Sequence, residues 1–195
     1  MSLQLLYRSG KLKRLRLAFC DSISGEGLTE AVKRLPLLEE LHLFFISMPS
    51  EALEIVGCSC PLLKSFTINT RSNELPHQEC DKEAAAIAKT MPGLHHLHLL
   101  GNKMTNEGLK AILDNCAKLE SLELRKCYYV NLDGDLGKRC SEEITHLRLP
   151  NDSTADYEFD DELDDWEGLH YSASFDVYSS GISDFDASDY DYYFH

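Results

Sequence analysis

The sequence predicts an α/β solenoid of about six strand–helix repeats, with a parallel sheet on its concave face, followed by a disordered acidic tail. Two observations lead to this prediction. An aliphatic pattern returns at a nearly constant spacing through the first 150 residues, and the net charge of −14 is confined to the residues that follow. Self-similarity at a period of about 20–50 residues is typical of stacked arrays. The length of 195 residues suits one array of ordinary domain size.

The repeated unit is the pattern L-x-x-L-x-L, in which Phe or Ile sometimes replaces Leu. Its first positions are 26, 25, 31, 25 and 25 residues apart, and four of these five spacings match the roughly 20–29 residues of leucine-rich repeats. The polar segment 71–78 accounts for the longer spacing and is predicted to be a loop. In each x-L-x-L the two aliphatic residues point to one face of a short strand. The copies are Leu12-Leu15-Leu17, Leu38-Leu41-Leu43, Leu63-Phe66-Ile68, Leu94-Leu97-Leu99, Leu119-Leu122-Leu124 and Ile144-Leu147-Leu149.

A second apolar pattern, with a helical period, lies between the strands. It falls ten, seven and three residues before the first aliphatic residue of four units, and these offsets form one stripe on a helix. Ser50 and Thr105 are predicted to cap two helices. Each unit is thus a strand, a turn and a helix, and stacking gives a continuous core. The stripe residues are Leu28, Ala31, Leu35, Leu53, Val56, Cys60, Ala84, Ile87, Met91, Leu109, Ile112 and Cys116.

The charge distribution divides the chain at about residue 150. Residues 1–150 hold all 19 basic residues and 19 acidic ones, whereas residues 151–195 hold 14 acidic residues, no Lys or Arg, and 11 of the 18 aromatic residues. Self-repulsion and a shortage of aliphatic side chains predict disorder in the second part. We therefore predict a solenoid over residues 1–152 and a tail over residues 153–195. A solubilising extension and a segment that folds on a partner are the two interpretations of this tail.

The composition also bears on partners and location. The acidic balance disfavours binding to nucleic acid or to an anionic membrane, and no apolar run approaches the roughly 20 residues of a membrane helix. The N-terminus lacks a basic region followed by a sustained apolar stretch, so no secretory signal is predicted. Seven cysteines without an export signal indicate free thiols in a reducing compartment. We expect a cytoplasmic or nuclear protein that binds neither nucleic acid nor membrane.

The sequence contains no motif of a known catalytic centre. It has no H-E-x-x-H, G-x-S-x-G or Walker motif, so neither enzymatic activity nor a cofactor is predicted. His96 and His98 on one strand face, with His42 and His146 on neighbouring strands, are the best metal candidates. Because no carboxylate or thiolate completes this set, we favour a polar binding surface that contains histidine. A metal-dependent enzyme that uses His96 and His98 is the alternative.

The strand residues that point away from the helices form three ladders on the predicted concave face. The first is Arg14, Glu40, Ser65, His96, Ser121 and His146; the second is Arg16, His42, Thr67, His98, Glu123 and Arg148; the third is Ala18, Phe44, Asn69, Leu100, Arg125 and Pro150. Such a face is a usual surface for binding another protein. Its mixed charge, imidazoles and few apolar side chains suit a protein partner better than a phosphate backbone. We predict that an unidentified protein binds there through Arg14, Arg16, His42, Phe44, His96, His98, Glu123, Arg125 and Arg148.

The repeat resembles the leucine-rich domain of F-box proteins, because it is 25–26 residues long and places Cys20, Asn102 or Cys127 after the strand. Several phrases resemble one plant subgroup of F-box/LRR proteins, over about residues 3–165. The resemblance implies that an N-terminal F-box docks a Skp-type adaptor of a cullin ubiquitin ligase while the repeats hold the substrate. The phrases are Gly27-Leu28-Thr29-Glu30-Ala31, Pro36-Leu37-Leu38-Glu39-Glu40-Leu41-His42-Leu43, Gly101–Asp114, and Gly134–Cys140 followed by Pro150–Thr154.

One departure from that family concerns the start of the chain. We expect no F-box, because there is no room for one before Leu12, and residues 3–8 are predicted to be the last turn of a preceding repeat's helix. The expected function is that of the substrate-recognition part of an SCF-type ubiquitin-ligase subunit, which binds a Skp-type adaptor only if an upstream F-box exists. The alternative is a stand-alone LRR scaffold or decoy without a role in ubiquitin transfer.

Overall fold

The computed structural model describes residues 10–20, 23–46, 48–69, 80–159 and 174–178. The predictions for the helical turn at residues 3–8 and for the loop at residues 71–78 lie outside the described residues. The same holds for most of the predicted tail, apart from residues 153–159 and 174–178.

Strands and helices alternate along the described residues, as the two sequence patterns predict. The elements are β1 (Arg14–Ala18), α1 (Gly25–Val32), β2 (Glu40–Phe44), α2 (Ser50–Ser59), β3 (Ser65–Asn69), α3 (Lys82–Thr90), β4 (His96–His98), α4 (Asn106–Asn115), β5 (Ser121–Glu123), α5 (Asp135–Glu143), β6 (His146–Arg148) and β7 (Ser174–Tyr178).

Strands β1 to β6 form a parallel sheet in chain order, which confirms the predicted leucine-rich-repeat solenoid. Each strand pairs with the next at equivalent repeat positions, so the predicted register is also confirmed. Strand β7 adds to the outer edge of β1 in the antiparallel direction. The central aliphatic residues form one ladder, which runs through Leu15, Leu41, Phe66, Leu97, Leu122 and Leu147.

The core lies between the sheet and the helices. Every residue of the predicted helix stripe is buried there, with at most 3% of its surface exposed. The inward strand residues of the first five repeats join the same apolar cluster. In the last repeat Leu147 is partly buried against this cluster and Leu149 is 43% exposed, because no further described repeat covers that side. The opposite face of the sheet, which points away from the helices, contributes no residue to this cluster. We call it the helix-free face.

A left-handed turn ends the strand segment in four repeats. The residues seven positions after the first aliphatic residue have φ between 54° and 72°, and Gly101 is the one glycine among them. The next position is buried in all four and holds the predicted Cys or Asn in three of them, whereas the second repeat has Ile46 there. The Cys127 thiol donates a hydrogen bond to the Leu99 carbonyl at 2.9 Å, and burial raises the pKa of this thiol to about 12. The left-handed residues are Phe19, Phe45, Gly101 and Lys126.

The helix caps agree with the sequence prediction in one case and differ in another. Thr105 caps α4, since its hydroxyl accepts a hydrogen bond from the Glu107 amide at 3.1 Å. The cap predicted at Ser50 is wrong, because this residue is the first of α2 and the extended Pro49 precedes it. The fixed φ of proline sets the start of this helix without a side-chain cap. The Ser24 hydroxyl caps α1, which the sequence pattern did not indicate.

Residues 153–159 differ from the sequence expectation of a disordered tail. They pack on the helix-free face, where Tyr157 and Phe159 contact a small apolar cluster that includes Ala18 and Phe44. Pairing of carboxylates and aromatic rings with the sheet offsets the self-repulsion from which disorder was predicted. We call residues 153–159 the covering segment. The domain boundary at residue 152 stays a prediction.

Gly57 marks a close approach of α2 to α3. A methyl carbon at this position would lie 2.5 Å from Thr90 Cβ and 2.9 Å from the Thr90 carbonyl oxygen. We expect Gly57→Ala to lower the free energy of unfolding by about 1–3 kcal/mol, because this overlap outweighs the roughly 1 kcal/mol gain in helix propensity. Urea titration measures the change. The exposed neighbour Cys58→Ala is the control, with a change below about 0.5 kcal/mol. Unchanged stability of Gly57→Ala would contradict the close packing.

Candidate protein-binding face

The first ladder of the helix-free face lies at the start of the strands and is open to solvent. Arg14 Nε is 2.9 Å from the Glu40 carboxylate, and both side chains belong to this ladder. His96 lies in the same ladder and is exposed. The parallel register therefore brings the predicted residues Arg14 and His96 to one accessible edge of the face.

The second ladder carries two partly buried imidazoles. The His42 ring nitrogen Nδ1 lies 2.7 Å from Thr67 Oγ1. Burial lowers the pKa of His42, with the nearby charges of His98 and Arg16 acting in the same direction and Glu40 opposing them. These imidazoles are therefore neutral hydrogen-bonding groups at neutral pH rather than fixed charges.

His98 lies on β4, two strands away from His42 on β2, and has a similar environment. Burial lowers its pKa, Glu123 opposes this change, and His96 and Arg125 add to it. Because protonation is disfavoured in the fold, the free energy contributed by the neutral imidazole is present above pH 6.5 and is lost as the pH falls below that value.

This environment predicts a pH-dependent stability. Lowering the pH from about 7.5 to about 5.5 is expected to reduce the free energy of unfolding less in the double variant His42→Gln, His98→Gln than in the wild-type chain, because the unfolded imidazoles take up protons that the folded ones resist. Urea titration at both pH values measures the difference. The exposed His96→Gln serves as the matched control. An equal loss in both proteins would contradict the environment described for these imidazoles.

The third ladder is buried except at Pro150, although its residues point away from the helices. Phe44, Arg125 and Asn69 retain 7%, 4% and 1% exposure. Glu123, in the second ladder, is also buried. Phe44 and Arg125, which were predicted to contact a partner directly, instead contact the chain's own residues 153–159. Glu123, predicted for the same role, is buried against Arg125. The helix-free face is thus open at the start of the strands and occupied at their end.

Arg125 organises the occupied end. Its Nε and Nη2 donate to the two oxygens of the Glu123 carboxylate at 2.9 and 2.8 Å, which is a bidentate geometry. Its Nη1 donates to the Ser153 carbonyl at 2.7 Å and also pairs with Asp156. The second oxygen of Asp156 lies 2.6 Å from Arg148 Nη2. Two arginines therefore hold one carboxylate of the covering segment.

Further along, the covering segment alternates polar and aromatic contacts. The Asn69 side-chain amide donates a hydrogen bond to the Tyr157 hydroxyl, and burial raises the pKa of this phenol. Arg16 Nη2 lies 2.6 Å from Glu158. The Phe159 ring lies 5.1 Å from that of Phe44 between centroids.

The sequence did not indicate the covering segment or Asn69 as parts of this site. The available signal was the run of alternating acidic and aromatic residues, Asp156-Tyr157-Glu158-Phe159, directly after the last repeat. Its chemistry complements a face that contains arginine and phenylalanine. Composition alone assigned it to the acidic tail.

The described residues contain no group of three or more His, Cys, Asp or Glu side chains placed to hold a metal ion. No helix among the described residues is long and apolar enough to cross a membrane.

A parallel ladder of short strands, each followed by a left-handed turn and a helix, defines a leucine-rich-repeat protein. Residues 3–79 match the family model "FBD-associated F-box protein At5g56370, LRR repeats", and residues 92–113 match the model "Leucine Rich repeat". The repeats of this chain are those of plant F-box/LRR-repeat proteins, as the sequence resemblance predicted.

Relatives in Arabidopsis thaliana agree with this assignment. The F-box protein SKIP19 is 43% identical over 200 residues, which cover 94% of this chain and 63% of the relative. Putative F-box/LRR-repeat protein 23 is 49% identical over 148 residues, which cover 75% of this chain and 33% of the relative. The chain thus spans between a third and two thirds of the length of these relatives.

One solved structure shares the fold. The crystal structure of the Rad7 and Elc1 complex in yeast contains a chain with a TM-score of 0.51 and 27% sequence identity, over 64% of this chain and 30% of that chain. This likeness agrees with the solenoid architecture.

Proposed function

We propose that this chain is the substrate-recognition part of an SCF-type ubiquitin-ligase subunit. The observation that carries the proposal is its 43–49% identity to F-box proteins over most of its repeats. In the proposed division of roles, a Skp-type adaptor binds an F-box in a longer form of the protein, and the repeats hold a protein substrate. The free cysteines suit a location in the cytoplasm or nucleus.

The open part of the helix-free face supports this role. Arg14, His42, His96, His98 and Arg148 lie on one face of the sheet, on strands β1, β2, β4 and β6, so a partner that crosses the sheet contacts several of them at once. A few of these contacts would carry most of the binding energy. The mixture of cationic and imidazole side chains favours a protein with acidic and polar groups over a purely apolar partner.

Adaptor binding and partner binding can be separated in one experiment. A version of the chain extended upstream with an F-box is expected to co-purify with a Skp-type adaptor, whereas residues 1–195 alone are not. The substitutions His42→Ala, His98→Ala and Arg148→Ala, made together, are expected to leave adaptor binding unchanged and to reduce capture of protein partners at least tenfold. Lys110→Ala, on the exposed side of α4, is the control for both measurements.

The possible failures have different meanings. Adaptor binding by residues 1–195 unaided would contradict the division of roles. Failure of the extended version to bind any Skp-type adaptor would contradict the ligase assignment and indicate a stand-alone scaffold. An unchanged set of captured partners in the triple variant would contradict the assignment of the helix-free face.

A further inference from the structure

The covering segment has the features of a bound ligand. We propose that the surface beneath it is a binding site for an acidic–aromatic peptide segment of a partner protein, and that residues 153–159 occupy this site in the same chain until the partner displaces them. The proposal rests on the proposed function, because it names the class of partner segment that the helix-free face recognises. It commits to one pattern, in which a carboxylate, Tyr, a carboxylate and Phe follow one another.

Electrostatics supply the first argument. Arg16, Arg125 and Arg148 face the covering segment, and the single carboxylate among them, Glu123, leaves a formal charge of +2. Asp156 and Glu158 bring a formal charge of −2. Asp156 pairs with Arg125 and Arg148 at the β5–β6 end of the sheet, and Glu158 pairs with Arg16 on β1. A peptide without these two charges would lose the ion pairs with Arg16, Arg125 and Arg148.

The aromatic contacts supply the second argument. Phe159 packs against Phe19, Phe44 and Phe45 at centroid distances of 5.4, 5.1 and 5.7 Å. The Arg16 guanidinium carbon lies 4.7 Å from the Phe44 ring centroid and 5.4 Å from that of Phe159. Aromatic and arginine side chains are enriched at the strongest contacts of protein interfaces. The surface therefore has the composition of a recognition site for one aromatic residue.

Tyr157 supplies specificity between the two charges. Its hydroxyl meets the side-chain amide of Asn69, which is 1% exposed, and its ring lies 5.8 Å from the Arg125 guanidinium carbon. A buried amide that loses its partner is costly. The site is thus expected to prefer Tyr over Phe at this position of the bound segment.

The contacts of the covering segment also allow a partner segment to replace it. The aromatic cluster under the covering segment is separate from the main core, so its loss leaves the leucine ladders intact. Asp156 and Glu158 remain more than half exposed, so their ion pairs are screened by solvent. A tethered segment competes at an effective concentration of about millimolar, so a partner needs higher intrinsic affinity or a second contact on the open ladders.

Binding of a labelled peptide tests the proposal. The probe is a fluorescein-labelled peptide with the sequence of residues 151–160, Asn-Asp-Ser-Thr-Ala-Asp-Tyr-Glu-Phe-Asp. The receptor is the full 195-residue chain carrying Asp156→Ala, Tyr157→Ala and Phe159→Ala, which empties the site. We expect this opened variant to bind the probe at least tenfold more tightly than the wild-type chain in a fluorescence anisotropy titration.

Matched substitutions identify the surface. Arg16→Ala with Arg148→Ala, added to the opened variant, is expected to weaken probe binding at least tenfold. Arg139→Ala, whose guanidinium pairs with Asp114 and Glu143 on the helix side, is expected to leave it unchanged. A probe in which Phe replaces Tyr is expected to bind several-fold more weakly. If the triple substitution prevents folding, as judged by circular dichroism, Tyr157→Ala alone serves as the opened variant.

Three results would overturn the proposal. A folded opened variant that does not bind the probe would make residues 153–159 a fixed structural cap. Equal binding to wild-type and opened chains would place the probe elsewhere. A concentration-dependent dimer of the wild-type chain would assign the site to a second copy. Adaptor binding by the extended version does not depend on these results, so failure of the peptide site is distinguishable from failure of the ligase proposal.

Discussion

Leu97→Ala is expected to lower the free energy of unfolding by roughly 2–5 kcal/mol. Leu97 lies in the middle of β4 and is fully buried. It pairs in register with Phe66 on one side and Leu122 on the other. Truncation would open a cavity where two repeat interfaces meet, and a close-packed ladder with neighbours fixed by strand pairing collapses poorly around such a cavity. Urea or guanidinium titration measures the loss.

The control for this prediction lies one residue away. His96→Ala changes an exposed side chain on the same strand and is expected to cost less than about 1 kcal/mol. The alternation of strand residues places the two side chains on opposite faces, so the pair of variants tests the register directly. Similar losses at both positions would mean that the strand register is wrong.

Arg125→Ala is the second substitution with a large expected effect, a loss of about 3–5 kcal/mol. The loss is large because the substitution leaves the Glu123 carboxylate without its guanidinium partner. Glu123 is 6% exposed, and it would lose both guanidinium hydrogen bonds while staying buried. The Ser153 carbonyl and Asp156 would also lose this donor, although Asp156 would keep its pairing with Arg148. Thermal and urea unfolding measure the loss of stability.

A paired substitution distinguishes the cost of a lone buried charge from the value of the ion pair. Glu123→Gln combined with Arg125→Met removes both charges and is expected to recover most of the lost stability. Arg139→Ala removes an exposed arginine with two carboxylate partners and is expected to cost less than about 1 kcal/mol. A double variant no more stable than Arg125→Ala would show that the ion pair itself, rather than the unpaired Glu123, accounts for the loss.

The sequence by itself determined the repeat architecture of this protein. Aliphatic residues at fixed offsets bury one strand face in the first five units and one helix stripe in four, and stacking of the units buries both at once. The same periodicity fixed the register, so residues as distant as Leu15 and Leu147 could be placed in one ladder without the structure. The Cys or Asn after the strand followed from the same pattern. The start of α2 at Ser50 did not, because Pro49 sets it through its own backbone geometry.

Only the tertiary structure decided which part of the helix-free face is open. Tyr157 meets Asn69 across 88 residues, and Asp156 meets Arg125 across 31. These contacts join residues after the last strand to residues inside the array and do not follow the 25–26-residue period, so the repeat pattern does not predict them. Alternation correctly predicted that Phe44 and Arg125 leave the main core, but it carried no information about a segment that returns to cover them. Their burial depends on where the chain goes after the last strand, because complementary charge and aromatic surface act only once the solenoid has brought the two sides together.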